Sequence, residues 1–289
     1  MDPANPYRSF VAGIAAGLAA GAAITTPWPM RPCGAAAAMT AGIGLLFSPH
    51  PDDECLTGGL ALRLRREAGM RIINVAATLG SERSARSRRR GELARACAVL
   101  AFATIIPGED GFEDINPVAR AQGSRQWSAA VDAVARILVD HQPEIIVVPH
   151  GADGHATHIG THHLVFDALA ILPAAFRCRV IETEYWSPMT QPNLMVESSI
   201  DDVADLIAAL AQHAGEVARS PYHLTLPAWM IDNVRRGAET IGGWRARARP
   251  FVFATLYRAS MWSDGRLQPC QTTKRMIAAD ADITQVLRA

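Results

Sequence analysis

The sequence predicts an α/β fold, a mainly parallel sheet covered by helices on both faces, with a less regular C-terminal part. Three observations predict it. From Gly42 onward, short apolar runs alternate with amphipathic segments. The polar residues with chemical potential fall just after those runs instead of within them. Finally, 289 residues at 49% hydrophobic content can bury one large core.

The elements follow in order. Ile43–Ser48 reads as a buried strand ending at Pro49-His50, and a helix is expected from Glu54 to Ala68, stopped by Gly69. Arg71–Thr78 gives a second strand. Arg88–Ala101 gives a second helix, because Leu93, Ala96, Cys97 and Leu100 recur at helical spacing. Thr104–Ile106 is a short third strand, Trp127–His141 a third helix and Glu144–Pro149 a fourth strand. His158–Leu172 reads as helical, Val180–Trp186 as extended, and Asp201–Val217 as helical again, with Ser199 or Asp201 able to cap it. Phe251–Tyr257 is a late strand.

The first 41 residues form an Ala/Gly-rich extension. Its apolar stretch after Arg8 contributes little membrane affinity, because Ala and Gly dominate it, so no integral membrane span is expected. It reads as a helix packed on the body, then a Pro-rich connector at 26–32 and a flexible Ala-rich piece before Gly42. Lys plus Arg and Asp plus Glu number 28 each, which leaves no net field to gather nucleic acid. The five cysteines (33, 55, 97, 178 and 270) contain no CxxC pair, and they read as reduced, buried thiols of a cytoplasmic protein.

In open α/β sheets, ligands sit in the crevice outside the carboxyl ends of the strands. There the sequence offers Pro49-His50-Pro51-Asp52-Asp53-Glu54, Gly80-Ser81-Glu82-Arg83, Gly108-Glu109-Asp110-Gly111 and the stretch from His150 to His158. Parallel topology brings the first and last together, and their imidazoles and carboxylates are the ligand mixture zinc prefers. His50, Asp53 and His158 furnish a two-His, one-carboxylate set that leaves a position open, with Asp52 beside it unligated. Zinc lowers the pKa of a water it binds to about 7, and a nearby carboxylate can move that proton. Asp52 is therefore the candidate general base and acid. If a helix begins at His155, that residue lies one turn from His158 and can stabilise an oxyanion, as an imidazolium or as a hydrogen-bond donor.

Alone, a His-x-x-His is more often a packed pair than a ligand set, and an Asp-Asp at a helix start is usually a cap. Their joint placement after predicted strands favours the metal site.

These residues resemble the LmbE-like, or PIG-L, zinc deacetylases. The resemblance rests on Pro49-His50-Pro51-Asp52-Asp53-Glu54 and His155-Ala156-Thr157-His158, with looser matches at Thr78-Leu79-Gly80, Arg89-Arg90-Gly91-Glu92 and Asp110-Gly111. It implies a Rossmann-like metal-binding core over 42–172 and a substrate-specificity part over 173–289, together one domain from 42 to 289. It implies one zinc ion held by His50, Asp53 and His158, with Asp52 as general base and His155 as electrostatic partner. The substrate implied is a small-molecule N-acylated amino sugar or glycoconjugate that loses its acyl group, acetyl above all, to water. The family's second motif usually reads His-Pro-Asp-His, so the aspartate between the histidines is missing here unless Asp153 substitutes for it.

Arg83 or Arg89 is a candidate contact to a substrate hydroxyl or phosphate, and Asp110 a candidate partner for sugar hydroxyls. Trp186, Trp229, Trp244 and Trp262 are candidate apolar walls, although each fits a core equally well. His213 and Tyr222-His223 can approach the site. A metal-dependent phosphoesterase is the alternative enzyme, and it usually gathers more carboxylates and two metals. A silent sugar-binding module would have no use for Asp52. A dinucleotide enzyme lacks its Gly-x-Gly-x-x-Gly after the first strand.

Overall fold

A computed structural model describes residues 7–25, 42–243, 250–269 and 274–288. The expected connector at 26–32, the Ala-rich piece before Gly42, and Cys33, Trp244 and Cys270 lie outside them.

The chain opens with helix α1 (Arg8–Ala22), which lies beside α10 but buries none of its own residues. The core then runs β1 (Ile43–Ser48), α2 (Asp53–Leu56), α3 (Gly59–Glu67), β2 (Arg71–Ala76), α4 (Arg86–Leu100), β3 (Ala103–Ile105), α5 (Pro117–Ala121), α6 (Arg125–His141), β4 (Ile145–Pro149), α7 (Ala156–Ala170) and β5 (Cys178–Thr183). After it come β6 (Leu194–Ser198), α8 (Ile200–Leu210), α9 (Ala214–Arg219), α10 (Tyr222–Thr240), β7 (Phe253–Ser263), β8 (Arg266–Pro269) and β9 (Arg275–Ile277).

The described strands form one sheet in the order β3-β2-β1-β4-β5-β7-β6-β9, with β8 on β7. The pairs from β3 through β5 are parallel, and β7 runs antiparallel between β5 and β6. The mainly parallel α/β sheet is as the sequence predicts. Both faces are buried, as a parallel sheet requires. Leu45, Phe47, Ile73, Val75, Ile146 and Val148 pack on one side with α6 and α7. Leu46, Ile72, Ile145 and Val147 pack on the other with α3, α4 and α8.

Two expected helices are each broken, for reasons that are not local. The helix expected from Glu54 to Ala68 splits at Thr57-Gly58. Gly58 sits at φ +82°, and a Cβ there would stand 2.0 Å from Thr255 Oγ1, so only glycine lets β7 approach. The helix expected over Asp201–Val217 ends at Leu210 and restarts at Ala214, with His213 between. Its start is as expected: Ser199 and Asp202 cap each other in a capping box. Four elements that the sequence reading did not assign, β6, α10, β8 and β9, complete the C-terminal part.

Candidate active site

Neighbouring parallel strands β1 and β4 end at the same edge. The turn after β1 is pinned by Thr78, whose Oγ1 donates to the Pro49 carbonyl at 2.8 Å. Thr78 in turn bridges Gly111, so two of the looser motif matches meet beside the site. Within the turn, Asp52 adopts φ +115°, a left-handed conformation costly for a residue with a side chain.

Three donor atoms converge at this edge. His50 Nδ1 lies 3.2 Å from His158 Nε2, His50 Nδ1 lies 3.4 Å from Asp53 Oδ2, and His158 Nε2 lies 3.4 Å from the same oxygen. A tetrahedral zinc with bonds of about 2.0–2.1 Å sets its ligand atoms about 3.3–3.4 Å apart. The triangle therefore has the size such an ion needs, and these three residues could hold one. Burial alone would push the Asp53 carboxyl up, but His158 and His50 outweigh it and hold it below the ordinary range. A second grouping, His50, His155 and His158, has nitrogens within 4.8 Å of one another.

His155 caps α7, so it is not on the helix face one turn before His158 as expected. Its Nδ1 accepts from the Thr157 N–H at 3.2 Å. A ring nitrogen that accepts carries no proton, so in the neutral ring Nε2 is the donor. Burial, with His50 and His158 nearby, holds the pKa of His155 below the ordinary histidine value. Its ring stacks on Trp186 at 5.7 Å. Asp153 organises the group: its carboxylate accepts from the N–H groups of His155 and Trp186 at 3.0 Å each, and lies 3.5 Å from His158 Nδ1. Tyr185 stands edge-on to the His158 ring, and burial pushes its phenol well above the usual range.

Asp52 is buried beside the donor triangle and lines the same cavity. Desolvation, with Asp53 and Glu54 adjacent, raises its carboxyl well above the ordinary aspartate pKa. That direction suits a group that must accept a proton near neutral pH.

The cavity measures about 1070 Å³. Leu56, Tyr222, Leu226 and Trp229 make its apolar side, and Arg83, Arg86, Arg88, Arg89 and Arg219 lie along the polar one. Arg83 is exposed and pairs with Glu113 at 3.1 Å. Arg89 is instead half-enclosed, donating to the carbonyls of Leu79 and Pro51 and pairing with Glu216. Asp110 does not line the cavity; it faces Arg90 at 3.4 Å and Arg86 at 3.9 Å. Trp186 and Trp229 line the cavity, whereas Trp262 belongs to the core.

Residues 45–169 match the family described as PIG-L, GlcNAc-PI de-N-acetylase. This stretch is a PIG-L family domain. The chain is 25% identical to a 1D-myo-inositol 2-acetamido-2-deoxy-alpha-D-glucopyranoside deacetylase of Acidothermus cellulolyticus, over 60% of this chain and 79% of that one. It is 29% identical to a 2'-N-acetylparomamine deacetylase of Streptomyces fradiae, over 44% of this chain and 52% of that one. In three dimensions it superposes on the 4-carboxy-2-hydroxymuconate hydratase of Pseudomonas putida KT2440 with a TM-score of 0.58 at 18% identity, covering 76% and 96% of the two chains. A fold shared with a hydratase does not fix the reaction, so the side chains must.

The matched stretch runs from within β1 into α7 and includes both histidine motifs. Glu184, Tyr185, Trp186 and the Glu216–Trp229 wall lie beyond the matched stretch. The first three follow β5, where the strand-end rule that found the earlier motifs also points. The wall carries no such signal, because it reaches the cavity only through the packing of α9 and α10.

Proposed function

We propose that the chain is a zinc-dependent hydrolase removing an N-acyl group, acetyl first, from an amino-sugar-containing small molecule or glycoconjugate. The observation that carries this reading is the triangle of His50 Nδ1, Asp53 Oδ2 and His158 Nε2, 3.2–3.4 Å on each side, with buried Asp52 adjoining it. The curated relatives named above, both amino-sugar deacetylases, support the same reading.

His50, Asp53 and His158 would hold a divalent cation, which would supply Lewis-acid polarisation of the acyl carbonyl and a water acidic enough to lose its proton near neutral pH. Asp52 takes that proton as the water attacks and returns it to the nitrogen as the C–N bond breaks. His155 donates from Nε2 to the oxyanion that forms on the carbonyl oxygen. Asp153 orients the His158 ring through Nδ1. Trp186 offers its face to the sugar, and Arg83 a donor at the cavity rim. Arg89, which lines the cavity while donating to the carbonyls of Leu79 and Pro51, is the second candidate donor.

The alternative phosphoesterase reading has less support, because the relatives named above are deacetylases. No described helix is long and apolar enough to cross a membrane, and the relatives act on small molecules. The free, buried Cys55, Cys97 and Cys178 fit a cytoplasmic location.

The test is acetate release by zinc-loaded protein from N-acetylated amino sugars, including the inositol glycoside and the N-acetylparomamine that the relatives' names specify. Zinc-dependent release abolished by chelation is the expected result. No release from any member of the panel would refute the reading.

A further inference from the structure

In the first motif His50, Asp52 and Asp53 have roles above, but Glu54 does not. It is fully buried, one carboxylate oxygen accepting from the Asp52 N–H at 2.9 Å. Its other oxygen lies 2.6 Å from His213 Nε2, across 159 residues of sequence. His213 is fully buried too, in the break between α8 and α9, and its Nδ1 has no partner among the described residues. The one hydrogen bond of its side chain is therefore with Glu54, and this short Nε2 contact outweighs the weaker one that Cys55 Sγ makes to the same oxygen at 3.5 Å, so it does most to orient that carboxylate.

The consequence falls on Asp52. Its backbone is held at φ +115°, a conformation that persists only where the surroundings over-determine it. The Glu54 carboxylate is one such restraint, acting on the Asp52 amide itself. A carboxylate free to rotate in a buried site would release that amide, and Asp52 could relax toward ordinary geometry.

We propose that His213 is a positioning residue: through Glu54 it fixes the Asp52 backbone, and so the aim of the Asp52 carboxylate into the cavity. The proposal rests on the reading of Asp52 as the base. It also explains why α8 breaks where it does. A continuous helix over 201–217 would carry residue 213 past the motif, whereas the break turns the imidazole onto Glu54.

The test compares zinc-loaded His213→Leu with His213→Gln, whose amide nitrogen replaces the Nε2 donor. The leucine variant is expected to keep its zinc and a KM near wild type while kcat falls about tenfold to a hundredfold, and the glutamine variant to recover most of that loss. A crystal structure of the leucine variant is expected to show Asp52 leaving the left-handed region. If the leucine variant does not fold, His213→Asn, too short to reach Glu54, serves as the contrast to glutamine. The proposal is overturned by wild-type kcat in the leucine or asparagine variant. It is also overturned by equal losses in glutamine and its contrast variant, by loss of zinc, or by an unchanged Asp52 φ. The zinc and crystallographic results remain readable even if the protein hydrolyses no N-acetyl sugar, which would count against the proposed function alone.

Discussion

Asp153 Oδ1 stands 3.5 Å from Nδ1 of His158, whose Nε2 faces Asp53 Oδ2 at 3.4 Å. The imidazole thus stands between two carboxylates, its Nδ1 near Asp153 without a formed hydrogen bond. Ala156 and Thr157 stand where the family pattern has a proline and an aspartate, and Asp153 supplies a carboxylate from outside the motif. A carboxylate on the far nitrogen fixes a ligand ring and raises its basicity. Asp153→Ala is accordingly expected to weaken zinc binding about tenfold to a hundredfold in a chelator competition. Unaltered affinity would remove Asp153 from this role.

Asp52 and His158 are predicted to fail differently. Asp52→Asn, which tolerates the left-handed backbone, is expected to retain zinc while kcat falls about 10²- to 10⁴-fold. His158→Ala is expected to lose the metal itself. Metal analysis beside turnover checks both, and equal zinc loss in the two variants would undo the division of roles.

The tautomer of His155 sets a pH prediction. With its pKa held below the ordinary value by burial and by His50 and His158, the ring is neutral above about pH 6.5 and donates through Nε2 regardless. The rate is therefore expected to show no fall between pH 7 and 9 that His155→Gln abolishes. An imidazolium role would instead produce such a fall as the ring lost its proton, and observing one would contradict the neutral-donor assignment.

Arg63 carries a stability prediction. It is fully buried and donates to the carbonyls of Glu197, Ala278, Ala279 and Ala281 as well as to Glu67. Removing one side of such a network leaves the other unpaired, so Arg63→Met is expected to cost about 3–5 kcal/mol in urea unfolding. A cost below about 1 kcal/mol would mean that water replaces the arginine.

What could be read in advance followed from local pattern. β1, β2 and β4 are short apolar runs bounded by polar turns, and α6 is strongly periodic, so each was legible within a few residues. His50, Asp52, Asp53 and His158 were legible because strand ends in this topology share one edge. The break at Gly58 was not, since the close approach of Thr255 on β7 requires it, and neither was the restart at Ala214, where His213 meets Glu54 from 159 residues away. The helix α10 contains Pro227 and the strand β6 is only five residues long, which leaves weak periodic signals in both. Asp110 looked suited to the substrate by position after β3, yet it turns toward arginines outside the cavity lining.

The most direct test is an anomalous difference map at the zinc edge from crystals of the zinc-loaded protein. One ion is predicted, bonded at about 2.0–2.2 Å to His50, Asp53 and His158. An ion held by His155 in place of Asp53, or one lying away from the turn after β1, would contradict the account.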